Sequence, residues 1–85
     1  MKYVNGGKNI KIGDIVNVDG VDGIVVCDYE NSIALDGYEG WLIKEELIGG
    51  GYFSSGIMVD TKDYGLIHYP DEDPDIKFIA RPTER

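Results

Sequence analysis

The sequence is poor in the residues from which covalent cross-links and metal sites are built. It has one cysteine, Cys27, and one histidine, His68. A single cysteine excludes an intramolecular disulfide and a cysteine-based zinc site, and a single histidine excludes a histidine-rich metal centre. No apolar run approaches the roughly 18 residues that a transmembrane helix requires. We therefore expect a cytoplasmic protein that holds no metal and does not enter the membrane.

Basic residues are also scarce. Sixteen Asp and Glu residues against eight Lys and Arg give a formal net charge of −8. Such a charge repels nucleic-acid backbones and anionic membranes, and no basic stripe offsets it. We therefore expect no direct binding of nucleic acid. The charge fits attraction to a basic protein or imitation of a nucleic acid, although solubility alone is the simpler explanation.

Alternating residues and turn signals predict a β-hairpin near the N-terminus. Val16 and Val18 alternate with Asn17, as in a half-buried strand. The run 19–23, Asp-Gly-Val-Asp-Gly, supplies turn residues. Residues 24–27 follow and are apolar on both faces, which indicates a central strand.

A second hairpin is predicted from residues 56–61 and 64–69, which flank a turn at Lys62-Asp63. A polar loop at 70–75 leads to a closing strand at 76–80. Short strands are also expected at 1–4 and 33–35, and residues 38–48 fit a short helical turn better than a strand. Together these elements predict one domain over residues 1–85. It is mainly β, a small antiparallel barrel of about five to seven short strands with at most one short helical turn.

The segment Lys11-Ile12-Gly13-Asp14-Ile15-Val16, followed by a strand, a turn and a β-branched strand, resembles the start of SH3-like small barrels. The resemblance covers about residues 11–80. It implies a fold and no single function, because such barrels bind peptides or nucleic acids and occasionally act as enzymes. A barrel this small with exposed edges often completes its core by association, so we expect a homo-oligomer.

Residues 49–56, Gly-Gly-Gly-Tyr-Phe-Ser-Ser-Gly, form the most distinctive stretch. Its glycines have the spacing of a phosphate-binding P-loop, but Ile57-Met58 stand where that loop requires lysine and a hydroxyl, which excludes a nucleoside-triphosphate site. Amides, hydroxyls and aromatic rings remain for a small ligand, and a plain connection is the alternative. The candidate ligand-binding residues are Gly50, Gly51, Tyr52, Ser54, Ser55, Trp41, His68 and Tyr69, with Lys44, Lys62 and Arg81 as cations for an anionic ligand.

Residues suited to catalysis form no convincing set. Cys27 and His68 could pair as nucleophile and base, but valines precede Cys27, so a buried inert thiol is expected. The stretch 66–70 resembles the active strand of type II dihydrofolate reductase in its tyrosine and proline, but Ile67 takes the place of the essential glutamine. We therefore expect no enzyme, no catalytic residue and no cofactor.

Four carboxylates, Asp71, Glu72, Asp73 and Asp75, crowd into the loop between the last two predicted strands. Their spacing does not match a calcium-binding loop, so they are not expected to hold a metal. The same charges could dock on a basic groove of a partner protein.

Two functions are compatible with these patterns. The first is a non-enzymatic, oligomeric binding protein that holds or sequesters a small nucleotide-like ligand, similar to accessory proteins of phages and mobile elements. The second is an acidic inhibitor or nucleic-acid mimic that docks on a basic site of a partner protein. Binding through acidic patches should weaken steeply with salt, whereas binding of a pocketed ligand should be less sensitive. An enzyme is the least supported alternative.

Overall fold

A computed structural model describes residues 1–42 and 56–82 of the chain. The strands are β1 Ile15–Val18, β2 Val21–Asp28, β3 Ile33–Ala34, β4 Ile57–Thr61, β5 Gly65–Tyr69 and β6 Ile76–Ala80, and a 3-10 turn covers Glu39–Leu42. They form one sheet in the order β5-β4-β2-β1-β6, and β3 also pairs with β2. Every strand pair is antiparallel.

The prediction of a mainly β, antiparallel fold with one short helical turn is confirmed. The helical turn expected within 38–48 is the 3-10 turn, and residues 43–48 lie outside the described part of the chain. The expected strand at 1–4 is instead a single bridge between Lys2 and Asn9. Within residues 1–42 and 56–82 the sheet is not closed, because β5 and β6 are its two edges. The predicted barrel is therefore not closed within these residues.

The first hairpin turns on two residues, Asp19 and Gly20. Both have positive φ angles, 51° and 85°, as a two-residue turn between twisted strands requires. The predicted turn region was too long, since Val21, Asp22 and Gly23 already belong to β2. Gly23 is there because β4 passes close by: a Cβ at this position would lie 2.8 Å from Val59 Cγ1. The prediction that β2 is central is confirmed.

A bulge in β2 divides the apolar side chains between the two faces of the sheet. Val25 pairs with Val59 and Cys27 with Met58, so Val26 is an extra residue. The larger cluster consists of Tyr3, Ile10, Val16, Val18, Val25, Ile57, Val59 and Ile76, with Met1, Tyr69 and Phe78 beside them. The smaller cluster consists of Val26, Cys27, Tyr29 and Met58, with Ala34, Leu35, Tyr38 and Leu66 beside them. The thin sheet therefore buries apolar surface on both sides.

Gly56 is fixed by backbone packing where the chain enters β4. Its φ angle is +83°, and a Cβ added there would overlap the carbonyl oxygen of Tyr69 and lie 2.6 Å from Pro70 Cα. Its own carbonyl accepts a hydrogen bond from the Tyr29 amide at 3.0 Å. The last glycine of the glycine-rich stretch is thus required by the close approach of the ends of β4 and β5.

We expect Gly56→Ala to lower the free energy of unfolding by about 3 kcal/mol, because it adds a clash with the backbone to an unfavourable φ angle. Gly20→Ala is the matched control: Gly20 has nearly the same φ angle, and nothing lies within 4 Å of an added Cβ. We expect the control to cost about 1 kcal/mol. Urea denaturation measures both, and equal losses would contradict the packing role of Gly56.

Candidate functional site

A carboxylate with no solvent exposure lies at the start of β1. Asp14 accepts hydrogen bonds from the Tyr3 hydroxyl at 2.7 Å and from the Lys11 amide at 3.0 Å. Burial raises the pKa of Tyr3, and its hydrogen bond to Asp14 raises that pKa further. Tyr3 therefore remains a neutral donor. No local pattern in the sequence indicated this role of Asp14.

Arg81 supplies the charge that Asp14 needs. Its Nε donates to Asp14 Oδ1 at 2.6 Å and its Nη2 to Asp14 Oδ2 at 3.0 Å, and Nη2 also donates to the Asn9 carbonyl at 2.7 Å. Burial alone would raise the pKa of Asp14, but the bonds from Arg81 and Tyr3 outweigh it and hold that pKa below its usual range. Arg81 is therefore committed to the fold, which corrects the expectation that it is available to an anionic ligand.

The loop between β5 and β6 is tied to the N-terminal segment. Glu72 accepts from the Lys2 amide at 2.7 Å, and Asn5 donates to the Pro74 carbonyl at 3.3 Å. Within the loop, Asp73 accepts from the Asp75 amide at 2.8 Å. Hydrogen bonds between side chains and backbone groups thus hold the loop in place, while Asp71, Glu72 and Asp75 stay exposed to solvent.

Three carboxylates from two segments that are distant in sequence act electrostatically on the phenol of Tyr69. Burial raises the pKa of Tyr69, and the negative charges of Asp73, Asp75 and Asp19 raise it further. Asp73 and Asp75 come from the loop after β5, whereas Asp19 comes from the β1–β2 turn. We call Asp19, Asp73 and Asp75 the acidic cluster. It joins two of the predicted partner-binding residues to a predicted ligand-binding residue, Tyr69, and adds Asp19, which the sequence marked only as a turn residue.

His68 faces the opposite side of β5 from Tyr69. Its ring meets that of Tyr29 edge-on, with centroids 5.3 Å apart, and it pairs across the sheet with Met58. Tyr69 instead packs against the larger apolar cluster. Neighbouring residues of a strand point to opposite faces, so these two candidates cannot line one pocket on a single face of the sheet.

Cys27 is buried on the same side as Tyr29, and the prediction of a buried thiol is confirmed. Its Sγ lies 3.7 Å from the Tyr38 carbonyl. Burial raises the pKa of the Cys27 thiol, which disfavours the reactive thiolate. Two effects raise the pKa of Tyr29 to about 12: burial is the larger, and the neighbouring Cys27 adds to it. Both groups are therefore protonated at neutral pH.

The other candidates are dispersed or lie outside the described residues. Trp41 lies on the 3-10 turn, 46 % exposed, with its amide bonded to the Tyr38 carbonyl at 3.0 Å. Lys62 lines a shallow groove that also includes Asp22 and Asp60. The candidates outside residues 1–42 and 56–82 are Lys44, Gly50, Gly51, Tyr52, Ser54 and Ser55.

Neither a metal-binding cluster in the described residues nor a known relative indicates the function. No group of His, Cys, Asp and Glu side chains in the described segments could hold a metal ion. Within the same segments, no helix is both long and apolar enough to cross a membrane. No protein-family model, curated protein or solved structure matches the chain. Function must therefore be argued from charge, exposure and geometry.

We expect Asp14→Asn to destabilise the protein by about 3 kcal/mol, because it leaves the Arg81 guanidinium poorly compensated in a buried site. Asp22→Asn is the control, since Asp22 is exposed and only accepts a 3.3 Å bond from Asn17. It removes the same charge and should change stability little. Chemical denaturation of both variants measures the difference, and similar midpoints would contradict the structural role of Asp14.

Proposed function

We propose that this chain is a non-enzymatic binding protein that docks its acidic surface on a basic segment of a partner protein. The observation that carries the proposal is the acidic cluster. Asp19 and Asp75 adjoin the paired residues Val18 and Ile76 of β1 and β6. Together with Asp73 they act electrostatically on Tyr69, although the β1–β2 turn and the 70–75 loop are far apart in sequence. Asp19 and Asp75 are exposed and Asp73 is half-buried. Neighbouring carboxylates of this kind produce a local negative potential, which favours encounter with a basic partner.

The division of charges within the fold supports the same proposal. Arg81 is almost fully covered, with its side chain 8 % exposed, because it is bound to the buried Asp14. Asp28 is also buried and is used inside the chain, where it caps the turn at Glu30 and Asn31. In the acidic cluster Asp73 also caps a turn, by accepting from the Asp75 amide, but Asp19 and Asp75 are exposed. The fold thus takes a cation away from the surface while carboxylates remain on it.

The same proposal includes an SH3-like fold, association of copies and a cytoplasmic location. An SH3-like relationship is supported by the short antiparallel strands, the bulged central strand β2 and the hairpin that follows Asp14. Association of copies is supported by large apolar side chains that this small sheet leaves exposed, among them Ile24, Ile33 and Ile79. A cytoplasmic location is supported by the free, buried Cys27, which has no second cysteine to pair with.

One observation favours the second function, the binding of a small nucleotide-like ligand. The glycine-rich stretch ends at Gly56, whose carbonyl accepts from the Tyr29 amide, and Tyr29 is in ring contact with His68. Gly56, the last residue of that stretch, and His68 therefore both contact Tyr29. Native mass spectrometry of protein purified from its natural host tests this function by the mass of any retained small molecule.

Acidic docking predicts that removing the acidic cluster weakens binding of a basic peptide. The change is the triple variant Asp19→Asn, Asp73→Asn and Asp75→Asn, and the probe is a fluorescent, unstructured peptide of alternating Lys, Gly and Ser. We expect wild-type binding to fall steeply with salt, and the triple variant to bind about threefold to a hundredfold more weakly at low salt. Fluorescence anisotropy measures both.

The matched control removes the same three charges elsewhere, with Asp22→Asn, Asp36→Asn and Glu39→Gln, all at exposed positions. It should retain most of the wild-type affinity. If the two triple variants lose affinity equally, net charge alone accounts for binding. If the wild-type protein does not bind the basic peptide at low salt, acidic docking is wrong.

A further inference from the structure

A shallow groove of about 360 Å³ runs across β1, β2 and the end of β4. Its floor is formed by Ile24 and Ile15, which are paired across β2 and β1 and therefore lie side by side on one face of the sheet. Ile24 is 40 % exposed, so the floor is open to solvent. Ligand pockets hold roughly 300–1,000 Å³, so this groove has the size for a small molecule.

Asp60 places a carboxylate beside this floor. It pairs with Ile24 across β4 and β2, so both side chains lie on the same face of the sheet. Asp60 Oδ2 accepts from the Tyr38 hydroxyl at 2.6 Å, and among the described residues Oδ1 accepts no hydrogen bond. The bond to Asp60, together with burial, raises the pKa of Tyr38, so Tyr38 stays a protonated donor. Tyr38 thus orients the carboxylate and leaves one oxygen for a cation of the ligand.

Lys62 adds a cation to the same groove. It follows Asp60 by two residues, and its amide donates to the Asp22 carbonyl at 3.0 Å, which continues the pairing of β4 with β2. Asp60, Lys62 and Asp22 all line the groove. Within residues 1–42 and 56–82, the Lys62 ammonium group makes no hydrogen bond or ion pair, even with Asp22 across the strands. Its charge is therefore available to a ligand.

The charges around the apolar floor decide which ligand fits. A purely anionic ligand would meet the like charges of Asp22 and Asp60, and a purely cationic ligand would meet that of Lys62. A molecule with an ammonium group, a carboxylate and one apolar group would instead match Asp60, Lys62 and the floor together. Such a molecule has no net charge, so the net charge of −8 on the chain does not repel it.

We propose that this groove binds a free apolar α-amino acid, with its ammonium group on Asp60, its carboxylate on Lys62 and its side chain over Ile24. The inference goes beyond acidic docking and does not depend on it, because the acidic cluster consists of other residues. We expect binding in the millimolar range, because the groove is shallow and ion pairs that are open to solvent contribute little affinity.

Titrations followed by the backbone amide signals in NMR test the proposal with four probes. They are leucine, 3-methylbutylamine, which is leucine without its carboxylate, 4-methylpentanoate, which is leucine without its ammonium group, and glycine, which lacks the apolar side chain. Leucine should shift the amide signals of Ile24, Asp60 and Lys62 in a saturable way. Each of the other three probes should bind about threefold to tenfold more weakly, because it lacks one of the three contacts.

Two variants of the groove assign the charges of the ligand. Lys62→Gln should weaken leucine binding about threefold to tenfold but should not weaken the binding of 3-methylbutylamine. Asp60→Asn should weaken leucine binding by a similar factor but not that of 4-methylpentanoate, and its amide oxygen can still accept from Tyr38. Lys77→Gln and Asp71→Asn are the matched controls, because they remove the same charges at other exposed positions. Both controls should retain the wild-type affinity for leucine.

Three results would overturn the inference. The first is that 3-methylbutylamine or 4-methylpentanoate binds as tightly as leucine, since one charge of the groove would then be unused. The second is that the control variants lose as much affinity as the groove variants, since overall charge would then account for binding. The third is that leucine at millimolar concentrations leaves the amide signals of the groove unshifted. Should Asp60→Asn fail to fold, the four probes on the wild-type protein still decide the outcome.

Discussion

The fold depends on the neutralisation of one buried carboxylate, that of Asp14. Asp14 receives donors from three parts of the chain: the Tyr3 hydroxyl, the Lys11 amide and the Arg81 guanidinium. A buried carboxylate without such partners would cost several kcal/mol. Satisfying it therefore brings the N-terminal segment, the start of β1 and the residue after β6 to one point. Because β1 and β6 are neighbours in the sheet, this contact fixes one edge of the structure.

The functional surfaces follow from that arrangement. Once β6 is held on β1, the loop before it must lie beside the N-terminal segment, where Glu72 accepts from the Lys2 amide. Asp75 of the same loop then lies beside Asp19 of the β1–β2 turn, because Val18 pairs with Ile76. With Asp73, both raise the pKa of Tyr69.

Local patterns in the sequence predicted the strands but not the long-range contacts. Alternation at Val16 and Val18 and the Asp19-Gly20 pair were enough for the first hairpin, because both signals act over a few residues. The Asp14–Arg81 pair was missed, since its partners are 67 residues apart in sequence. The acidic cluster and the lack of barrel closure likewise depend on strand order, which no local pattern encodes. Gly56 appeared to belong to a flexible loop, whereas backbone packing requires it.

Titration of the Asp14 carboxyl carbon by NMR, with amide signals of the sheet recorded in the same samples, tests the central role of this residue most directly. The pKa of Asp14 is lowered in the folded state, whereas an Asp in an unfolded chain has a pKa of about 3.9. Its contribution to stability is therefore complete above that pH and is lost as the pH falls towards the folded-state pKa. We predict that Asp14 stays ionised below pH of about 3.9 for as long as the sheet persists, and that its protonation coincides with unfolding. Protonation of Asp14 at an ordinary pKa with the sheet intact would contradict the account.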